Sequence, residues 1–364
     1  MNQNLSGEKM IENSLSRRKF IQVGGISLLN AAMFSGHKVF ATPSHIPFNP
    51  FRFAVISDPH LDIKGKNKVK MSAVSVECLR ETIKDINQEK ALAFVLVAGD
   101  LLKDGEWENA RVAKSLLDQL SVPYYVICGN HDYMPIPKKQ RDGFHYMSVE
   151  EFVTFFNGHG FDNTGKRYYA HQIQPGLRLI GLDACLPNEQ KKWGGLLPEE
   201  QLTWLDKQLT NHANELNLIF IHHSIIRWST DELLGGSKQW FCIDNDVEVK
   251  TLLSNHAKAA PLVINGHRHI GLNVKEVNGV NYFTVPSLNS HPMRYSVFTL
   301  SNQAILWKTP MVSIPETVHW EAKQNLLNNK YWRQTQFKER NAVNDSAMLQ
   351  FYENNQMMFG SISI

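Results

Sequence analysis

The chain has 364 residues, 43% of them hydrophobic and 10% aromatic, and its formal net charge is +3. This composition excludes an intrinsically disordered chain, which is poorer in apolar residues, and four cysteines are too few for a disulfide-rich miniprotein. So small a net charge does not indicate a nucleic-acid partner. The length is sufficient for one large α/β domain or two ordinary ones.

The first 41 residues have the pattern of a twin-arginine signal peptide. The sequence SRRKFI at residues 16–21 carries the arginine pair, and the apolar stretch of residues 21–34 is too short to span a bilayer. We expect cleavage after Ala41 and export to the periplasm by the twin-arginine machinery. The alternatives are an ordinary basic N-terminus and an uncleaved membrane anchor. The signal carries five basic and two acidic residues, so the mature chain has 33 of each.

The four cysteines lie too far apart along the chain for a C-x-x-C motif. An oxidising compartment permits disulfides, but the spacing of four cysteines does not select a pairing. We interpret most of them as small buried apolar residues. They are Cys78, Cys128, Cys185 and Cys242.

Strand and helix patterns alternate over the first part of the mature chain. Short apolar runs predict strands at residues 51–57, 93–98 and 122–128, and apolar residues at helical spacing predict a helix in each interval. The helical positions are Val76, Leu79, Ile83, Ile86, Ala113, Leu116, Leu117 and Leu120. This β-α-β-α-β order predicts a parallel sheet with right-handed crossovers.

The second half of the chain predicts another, mixed sheet. A helix begins after Pro198, and Asn278-Gly279 is a strong hairpin-turn signal. Strands are predicted at residues 167–172, 177–183, 218–221, 262–265, 273–277, 280–284, 295–300 and 304–308. We therefore expect an α/β domain over residues 50–310, with two mixed sheets packed face to face and helices outside. Residues 311–364 are expected to be a C-terminal extension without a well-defined fold.

Five short polar motifs each follow a predicted strand. Because the carboxyl ends of the strands in an α/β sheet form the ligand crevice, we expect these motifs to meet there. The motifs are Asp58-Pro59-His60, Gly99-Asp100, Gly129-Asn130-His131-Asp132, His222-His223 and Gly266-His267-Arg268-His269. Aspartate, histidine and asparagine without cysteine are typical ligands of Mn, Fe or Zn. Seven or eight such side chains are enough for two ions that share one carboxylate.

The order D-x-H, G-D, G-N-H-D, H-H, G-H-x-H resembles that of the calcineurin-like metallophosphoesterases, and the resemblance covers about residues 51–310. It implies a four-layer α/β/β/α sandwich with a binuclear metal site. The implied metal ligands are Asp58, His60 and His269 for the first ion, Asn130, His222 and His267 for the second, and Asp100 for both. The family's ligand is usually the histidine of an H-x-P sequence. That proline is absent here, so His223 remains an alternative to His222.

The resemblance also implies the catalytic groups. His131 is implied as the acid or charge stabiliser, and Asp132 as the carboxylate that orients it. A hydroxide that bridges the two metals is the implied nucleophile, so no nucleophilic side chain is needed. Asp104 is either a further partner at this site or a turn residue.

The motifs favour a phosphodiesterase similar to the cyclic-nucleotide and glycerophosphodiester branch of the family, acting on a small-molecule phosphoester. The alternatives are a phosphomonoesterase, a nucleotide-pyrophosphate hydrolase and, from another class, a non-catalytic metal-binding protein. The presence of His131 argues against the last of these. Residues 133–147 are either a basic lid over the crevice or a solvated loop. Residues 286–292, Trp193 and Trp228 are further candidates for the substrate pocket.

Overall fold

The structure, a computed structural model, describes residues 46–134, 144–187, 193–228, 241–329, 345–354 and 356–364. The chain divides into two units, Met1–Thr42 and Pro43–Ile364. The first unit, which contains the predicted signal peptide and its cleavage site, lies outside the described residues. Within the described ranges, no helix combines the length and the apolarity that crossing a membrane requires.

The second unit is built from strands and helices that alternate for most of its length. The strands in the described ranges are β1 (Phe51–Ile56), β2 (Leu92–Val97), β3 (Tyr124–Val126), β4 (Tyr169–Gln174), β5 (Leu177–Leu182), β6 (Leu216–Ile221), β7 (Leu262–Asn265), β8 (Asn273–Val277), β9 (Val280–Thr284), β10 (Ser296–Leu300), β11 (Ala304–Lys308) and β12 (Phe359–Ser363). The α-helices there are α1 (Ser75–Gln88), α2 (Trp107–Leu117), α3 (Val149–Phe155), α4 (Glu199–Asn211), α5 (Asp246–Asn255), α6 (Glu316–Leu327) and α7 (Asp345–Tyr352).

The strands form two six-stranded mixed sheets. The first has the order β12-β11-β10-β1-β2-β3, and the second has the order β4-β5-β6-β7-β9-β8. β1, β2 and β3 are parallel, as the crossover pattern predicts, and so are β5, β6, β7 and β9. The parallel strands occupy the middle of the second sheet, and in the first sheet they run from the middle to the edge strand β3.

Apolar side chains hold the layers together. Between the sheets, Phe53 and Phe298 of the first sheet stack at 5.2 Å, and Phe298 meets Phe283 of the second sheet edge-on at 5.4 Å. A second core joins the second sheet to α4 and α5 through residues such as Leu205 and Leu253. Burying each such side chain stabilises the fold by about 1.5–3 kcal/mol. With α1 and α2 packed on the first sheet, the order of layers confirms the predicted α/β/β/α sandwich.

The observed strands begin and end within two residues of the predicted ones, but the C-terminal extension differs from expectation. It contains α6 and α7, and its last residues form β12, which pairs antiparallel with β11 and completes the first sheet. Gly360 permits this pairing, because a Cβ atom there would lie 2.1 Å from Trp307 Cζ2. The four cysteines are buried thiols, and none forms a disulfide.

Candidate metal centre

Five strands deliver the predicted motifs to one edge of the sandwich. In the first sheet Ile56 of β1 is level with Val97 of β2, and Val97 is level with Val126 of β3. In the second sheet Ile221 of β6 is level with Asn265 of β7. The motifs begin within three residues of these positions. The parallel register therefore brings polar residues from distant parts of the sequence to a common crevice.

The backbone turns sharply at most of the predicted ligands. Five of them have positive φ angles between 41° and 66°, which is the left-handed region. They are Asp58, His60, Asp100, His267 and His269. This conformation costs roughly 1–2 kcal/mol for a residue other than glycine, and it persists where the surrounding structure imposes it, as at functional sites. The sheets therefore hold these ligands against the local preference of the backbone.

The first ligand cluster consists of Asp58, His60, Asp100 and His269, four buried side chains whose ligand atoms lie within 4.8 Å of one another. His269 Nε2 is 3.1 Å from Asp58 Oδ1 and 3.0 Å from His60 Nε2. His60 Nε2 is in turn 3.4 Å from Asp100 Oδ2. Oxygen and imidazole atoms that converge in this way can hold Mn, Fe or Zn.

The second ligand cluster consists of Asp100, His222 and His267. His222 Nε2 lies 3.3 Å from Asp100 Oδ1 and 3.2 Å from His267 Nδ1. Asp100 therefore turns one oxygen to each cluster, as a bridging carboxylate does. The backbone N–H of His131 donates to Asp100 Oδ1 at 2.7 Å, which brings the preceding residue, Asn130, to the same turn.

Asn130 supplies a further test of whether metal ions fit this site. Its side-chain oxygen Oδ1 is buried and has no hydrogen-bond partner among the described residues. A buried amide oxygen without a partner costs free energy unless it is a ligand of some other kind. This oxygen and the imidazole and carboxylate atoms of the two clusters together fit a binuclear metal site.

Hydrogen bonds on the far side of two histidines fix how their rings face the clusters. His222 Nδ1 donates to the Ala98 carbonyl at 2.8 Å, so Nε2 is the nitrogen that faces the second cluster. His269 Nδ1 contacts Ser290 Oγ at 2.9 Å. Histidines that bind metals generally have such a partner on the other ring nitrogen. Ser290 belongs to residues 286–292, so this segment borders the first cluster, as its place in the sequence predicted.

The carboxylates and histidines strongly perturb one another's protonation. Burial raises the pKa of Asp100, but three neighbouring histidines, His222 first among them, outweigh burial and hold that pKa well below its usual range. Burial lowers the pKa of His222, but Asp100 outweighs burial and raises it to about 9. The second cluster therefore favours a positive charge between these two side chains. A metal cation supplies that charge as a proton does.

His131 has a different carboxylate partner from the one predicted. Its Nδ1 donates to the backbone carbonyl of Lys103 at 2.5 Å and lies 3.1 Å from Asp104 Oδ1. The two Asp132 oxygens instead accept the backbone N–H groups of Leu102 and Gly129, both at 2.8 Å. The predicted pairing of His131 with Asp132 is therefore replaced by a pairing with Asp104, because Asp132 closes its own tight turn.

The environment of His131 keeps its ring close to both the first cluster and the crevice. The ring lies edge-on to that of His60, with centroids 4.7 Å apart, and 4.3 Å from the Trp193 ring. Burial and then the charge of Lys70 lower the pKa of His131 to about 4. The contact with the His131 ring places Trp193 at the crevice, as expected. Trp228, the other tryptophan named from the sequence, donates from Nε1 to Thr284 Oγ1 at 2.9 Å. Residues 135–143 of the expected lid lie outside the described residues.

The structure separates the adjacent pair His222-His223. His223 is buried outside the two clusters, with its ring centroid 4.5 Å from that of His267. Its ring packs against Gly195, where an added Cβ would lie 2.8 Å from His223 Cγ. The geometry thus favours His222 as the ligand. Arg268, which lies between two predicted ligands in the sequence, is also buried, with its guanidinium 4.3 Å from the centroid of the Phe241 ring.

Lys70 is a residue of the site that the sequence did not single out. Its Nζ lies 3.1 Å from His60 Nδ1 and 3.3 Å from His131 Nε2. It is the last of four lysines in KGKNKVK at residues 64–70. Nothing in that stretch distinguishes it from lysines on a solvated surface.

Comparison with known families agrees with this geometry. A sequence model of the calcineurin-like phosphoesterases matches residues 51–271, which is more than half of the chain. The chain belongs to this family. Its members use a binuclear metal site, in agreement with two ligand clusters that share Asp100.

Two related proteins share 30% and 23% sequence identity with this chain over the aligned parts. Over 175 residues the chain is 30% identical to a protein named "probable glycerophosphodiester phosphodiesterase" from Arcobacter nitrofigilis, a match to 47% of this chain and 56% of that protein. Over 256 residues it is 23% identical to a "probable cyclic nucleotide phosphodiesterase" from Fibrobacter succinogenes, a match to 70% and 86% of the two chains. The chain thus spans little more than half the length of the first of these relatives.

The fold is also similar to that of a dimetal phosphatase from Danio rerio, whose structure has been solved. The two superpose with a TM-score of 0.59 at 19% sequence identity, over 72% of this chain and 96% of that one. At this level of identity the likeness shows a common fold. The architecture inferred from the element order is therefore that of a known dimetal enzyme.

Proposed function

We propose that this protein is a binuclear-metal-dependent phosphodiesterase that hydrolyses a small-molecule phosphoester. The observation that carries the proposal is the position of Asp100, whose Oδ2 faces His60 at 3.4 Å and whose Oδ1 faces His222 at 3.3 Å. The names of the two relatives support a diester substrate. Mn, Fe and Zn are the candidate metals, because the ligands are carboxylate, imidazole and amide groups.

The ligands divide between two ions. The proposed ligands are Asp58, His60, Asp100 and His269 for the first ion, and Asp100, Asn130, His222 and His267 for the second. When bound, such ions polarise a phosphoryl group and lower the pKa of a water molecule. Their charge would also replace the proton that His222 otherwise shares with Asp100.

The part of His131 in the reaction follows from its tautomer. Because Nδ1 donates to a carbonyl oxygen, Nε2 is the nitrogen available to the substrate. Burial and Lys70 hold the pKa of the ring at about 4, so Nε2 takes up a second proton only when the negative charge of a bound phosphoryl group offsets them. That proton then passes to the oxygen of the departing alcohol, which leaves as a neutral group. Asp104, 3.1 Å from Nδ1, stabilises the positive charge of the ring before that transfer. No side chain has to act as the nucleophile.

The direct test compares two chromogenic substrates, bis(p-nitrophenyl) phosphate and p-nitrophenyl phosphate, with Mn-loaded protein. We expect the diester to be hydrolysed faster and Asp100→Ala to abolish turnover and lower the content of both metals. Asp206→Ala, which removes a carboxylate from the exposed face of α4, is the matched control. Preference for the monoester would replace the diesterase proposal with a phosphomonoesterase. Wild-type rates in Asp100→Ala would overturn the assignment of the site.

A second variant distinguishes an enzyme from a non-catalytic metal-binding protein. His131→Ala removes the proposed acid but none of the proposed ligands. We expect its metal content, measured by elemental analysis, to match the wild type while its turnover falls by about 100-fold or more. A wild-type protein that binds two metals and hydrolyses neither substrate would favour the non-catalytic alternative.

We also propose that residues 1–41 are a cleaved twin-arginine signal that directs the protein to the periplasm. The arginine pair of SRRKFI and the short apolar stretch after it support this proposal. N-terminal sequencing of protein from a periplasmic extract is expected to begin at Thr42. Replacement of Arg17 and Arg18 by lysine is expected to retain the protein in the cytoplasm. Unchanged export of that variant would contradict the proposal.

A further inference from the structure

We propose that Lys70 is a substrate-binding residue that holds the phosphoryl group together with His131, and that its charge strengthens the binding of doubly charged phosphate more than that of a singly charged diester. The inference rests on the proposed function, because it assigns Lys70 to the same crevice. It concerns the selection of substrate and product by charge, which the metal ligands alone do not determine.

The position of the Lys70 ammonium is the first observation. It lies between two imidazole rings, 3.1 Å from His60 Nδ1 and 3.3 Å from His131 Nε2. One ring belongs to the first ligand cluster, and the other presents the nitrogen that faces the substrate. The ammonium therefore lies where a phosphoryl oxygen can reach it and His131 Nε2 together.

The backbone around Lys70 is fixed, which makes this placement more than a chance orientation of a long side chain. Val69 and Met71 on either side are buried, with 7% and 0% exposure. The Met71 N–H donates to the Asn289 carbonyl at 2.7 Å, and Lys70 itself forms a β-bridge with Ser290. Ser290 is the residue that contacts His269 Nδ1. Lys70 is thus attached to the segment that orients a ligand of the first cluster.

The hydrogen on His60 gives the chemical reason for a substrate contact. His60 Nε2 faces Asp100 and His269, so Nε2 is the nitrogen that a metal would take. In a neutral ring bound through Nε2, Nδ1 carries the hydrogen and cannot accept one from an ammonium group. With a metal bound, the Lys70 ammonium therefore exchanges this contact for another acceptor. An anionic phosphoryl oxygen is the acceptor that the proposed substrate brings to the crevice.

Other cations close to the motifs are engaged elsewhere in the described structure. Lys103 Nζ forms an ion pair with Asp62 Oδ2 at 2.8 Å, and the Arg268 guanidinium lies over the Phe241 ring at 4.3 Å. Among the residues that the structure describes, the charge of Lys70 is thus the one placed beside His131. Because Coulomb attraction grows with the charge of the partner, the effect is larger for a dianionic phosphate than for a monoanionic diester.

The test uses Lys70→Met, with Lys68→Met as the matched control, because Lys68 is exposed and the change in charge is the same. Isothermal titration of Mn-loaded protein with inorganic phosphate measures binding independently of turnover. We expect Lys70→Met to weaken phosphate binding about 10- to 100-fold, the range for a hydrogen bond between charged groups. Lys70→Arg is expected to recover most of the affinity, and Lys68→Met to match the wild type.

Kinetics with the two nitrophenyl substrates complete the test. We expect Lys70→Met to raise the KM of the monoester more than that of the diester while both metals remain bound. The inference would be overturned if Lys70→Met bound phosphate as tightly as Lys68→Met does. Loss of a metal from Lys70→Met would also overturn it, because Lys70 would then support the metal centre. If the wild type hydrolyses neither substrate, the proposed function fails. Weaker phosphate binding by Lys70→Met would in that case still support the assignment of Lys70.

Discussion

The pairing of His131 with Asp104 leads to a quantitative prediction for Asp104→Asn, which removes the negative charge and keeps the shape of the side chain. The Asp104 oxygen lies 3.1 Å from His131 Nδ1. Two unit charges at this distance interact by about 5 kcal/mol at an effective dielectric constant of 20. Because the Asp104 side chain is 33% exposed, solvent screening lowers the net value to about 1–2 kcal/mol. We therefore expect kcat to fall about 5- to 30-fold.

The assay measures kcat with the faster of the two nitrophenyl substrates. Metal content and Tm are measured on the same preparations. Asp104→Asn is expected to keep both metals and a Tm close to that of the wild type. Asp132→Ala is the contrasting variant, because it leaves the backbone N–H groups of Leu102 and Gly129 without their acceptors. Each buried orphan donor costs about 1–3 kcal/mol, so this variant is expected to lower the Tm by several degrees. Wild-type kcat in Asp104→Asn would refute the role of its carboxylate.

Three further changes test the packing around the site and the fold. Gly266→Ala places a Cβ atom 1.9 Å from Ser57 Oγ, so we expect a lower Tm and less bound metal. Adding Ser57→Ala, which removes that oxygen, is expected to recover part of both the Tm and the metal content. An unchanged Tm in Gly266→Ala would contradict the overlap. Burial raises the pKa of Asp246, but its partners, Arg227 first, outweigh burial and leave it below its usual value. The carboxylate therefore stabilises the fold above the unfolded-state pKa, and this contribution disappears as the pH falls through the folded-state value. Asp246→Asn should lower the Tm at pH 7, by a difference that begins to shrink near the unfolded-state pKa of about 3.9 and disappears only below the lower folded-state pKa. A constant difference across this range would contradict the prediction. Deleting residues 359–364 leaves β11 as the edge of the first sheet, and we expect a lower Tm by calorimetry, whereas a wild-type Tm would show that β12 contributes little.

The central strands and the motifs were predictable because they are encoded locally. A buried parallel strand reads as a short apolar run, and the polar residues that follow it stand out against that background. The predicted ligand sets therefore coincide with the two observed clusters, apart from Asn130, whose place is indicated by its buried, partnerless oxygen. Parallel pairing then brings these residues together without further information from the sequence.

Features that depend on tertiary contacts were not predictable in this way. Asp104 and Asp132 are both aspartates near His131 in the sequence, and only the turn at residues 129–132 decides which one reaches the ring. Lys70 lies in a lysine-rich stretch that resembles a solvated surface. The short FGSIS segment of β12 has weak strand propensity by itself and gains its structure from β11.

The order of the strands also has a consequence for how the protein is made. β1 lies between β2 and β10, so the first sheet closes only when residues near position 300 are available. His60 and His269, whose Nε2 atoms are 3.0 Å apart, are separated by 209 residues. Contacts of such long sequence separation form late, because the entropy of closing the loop must be lost first. A chain still on the ribosome therefore carries only part of either ligand set for most of its synthesis, and metal capture is expected to follow folding rather than to guide it.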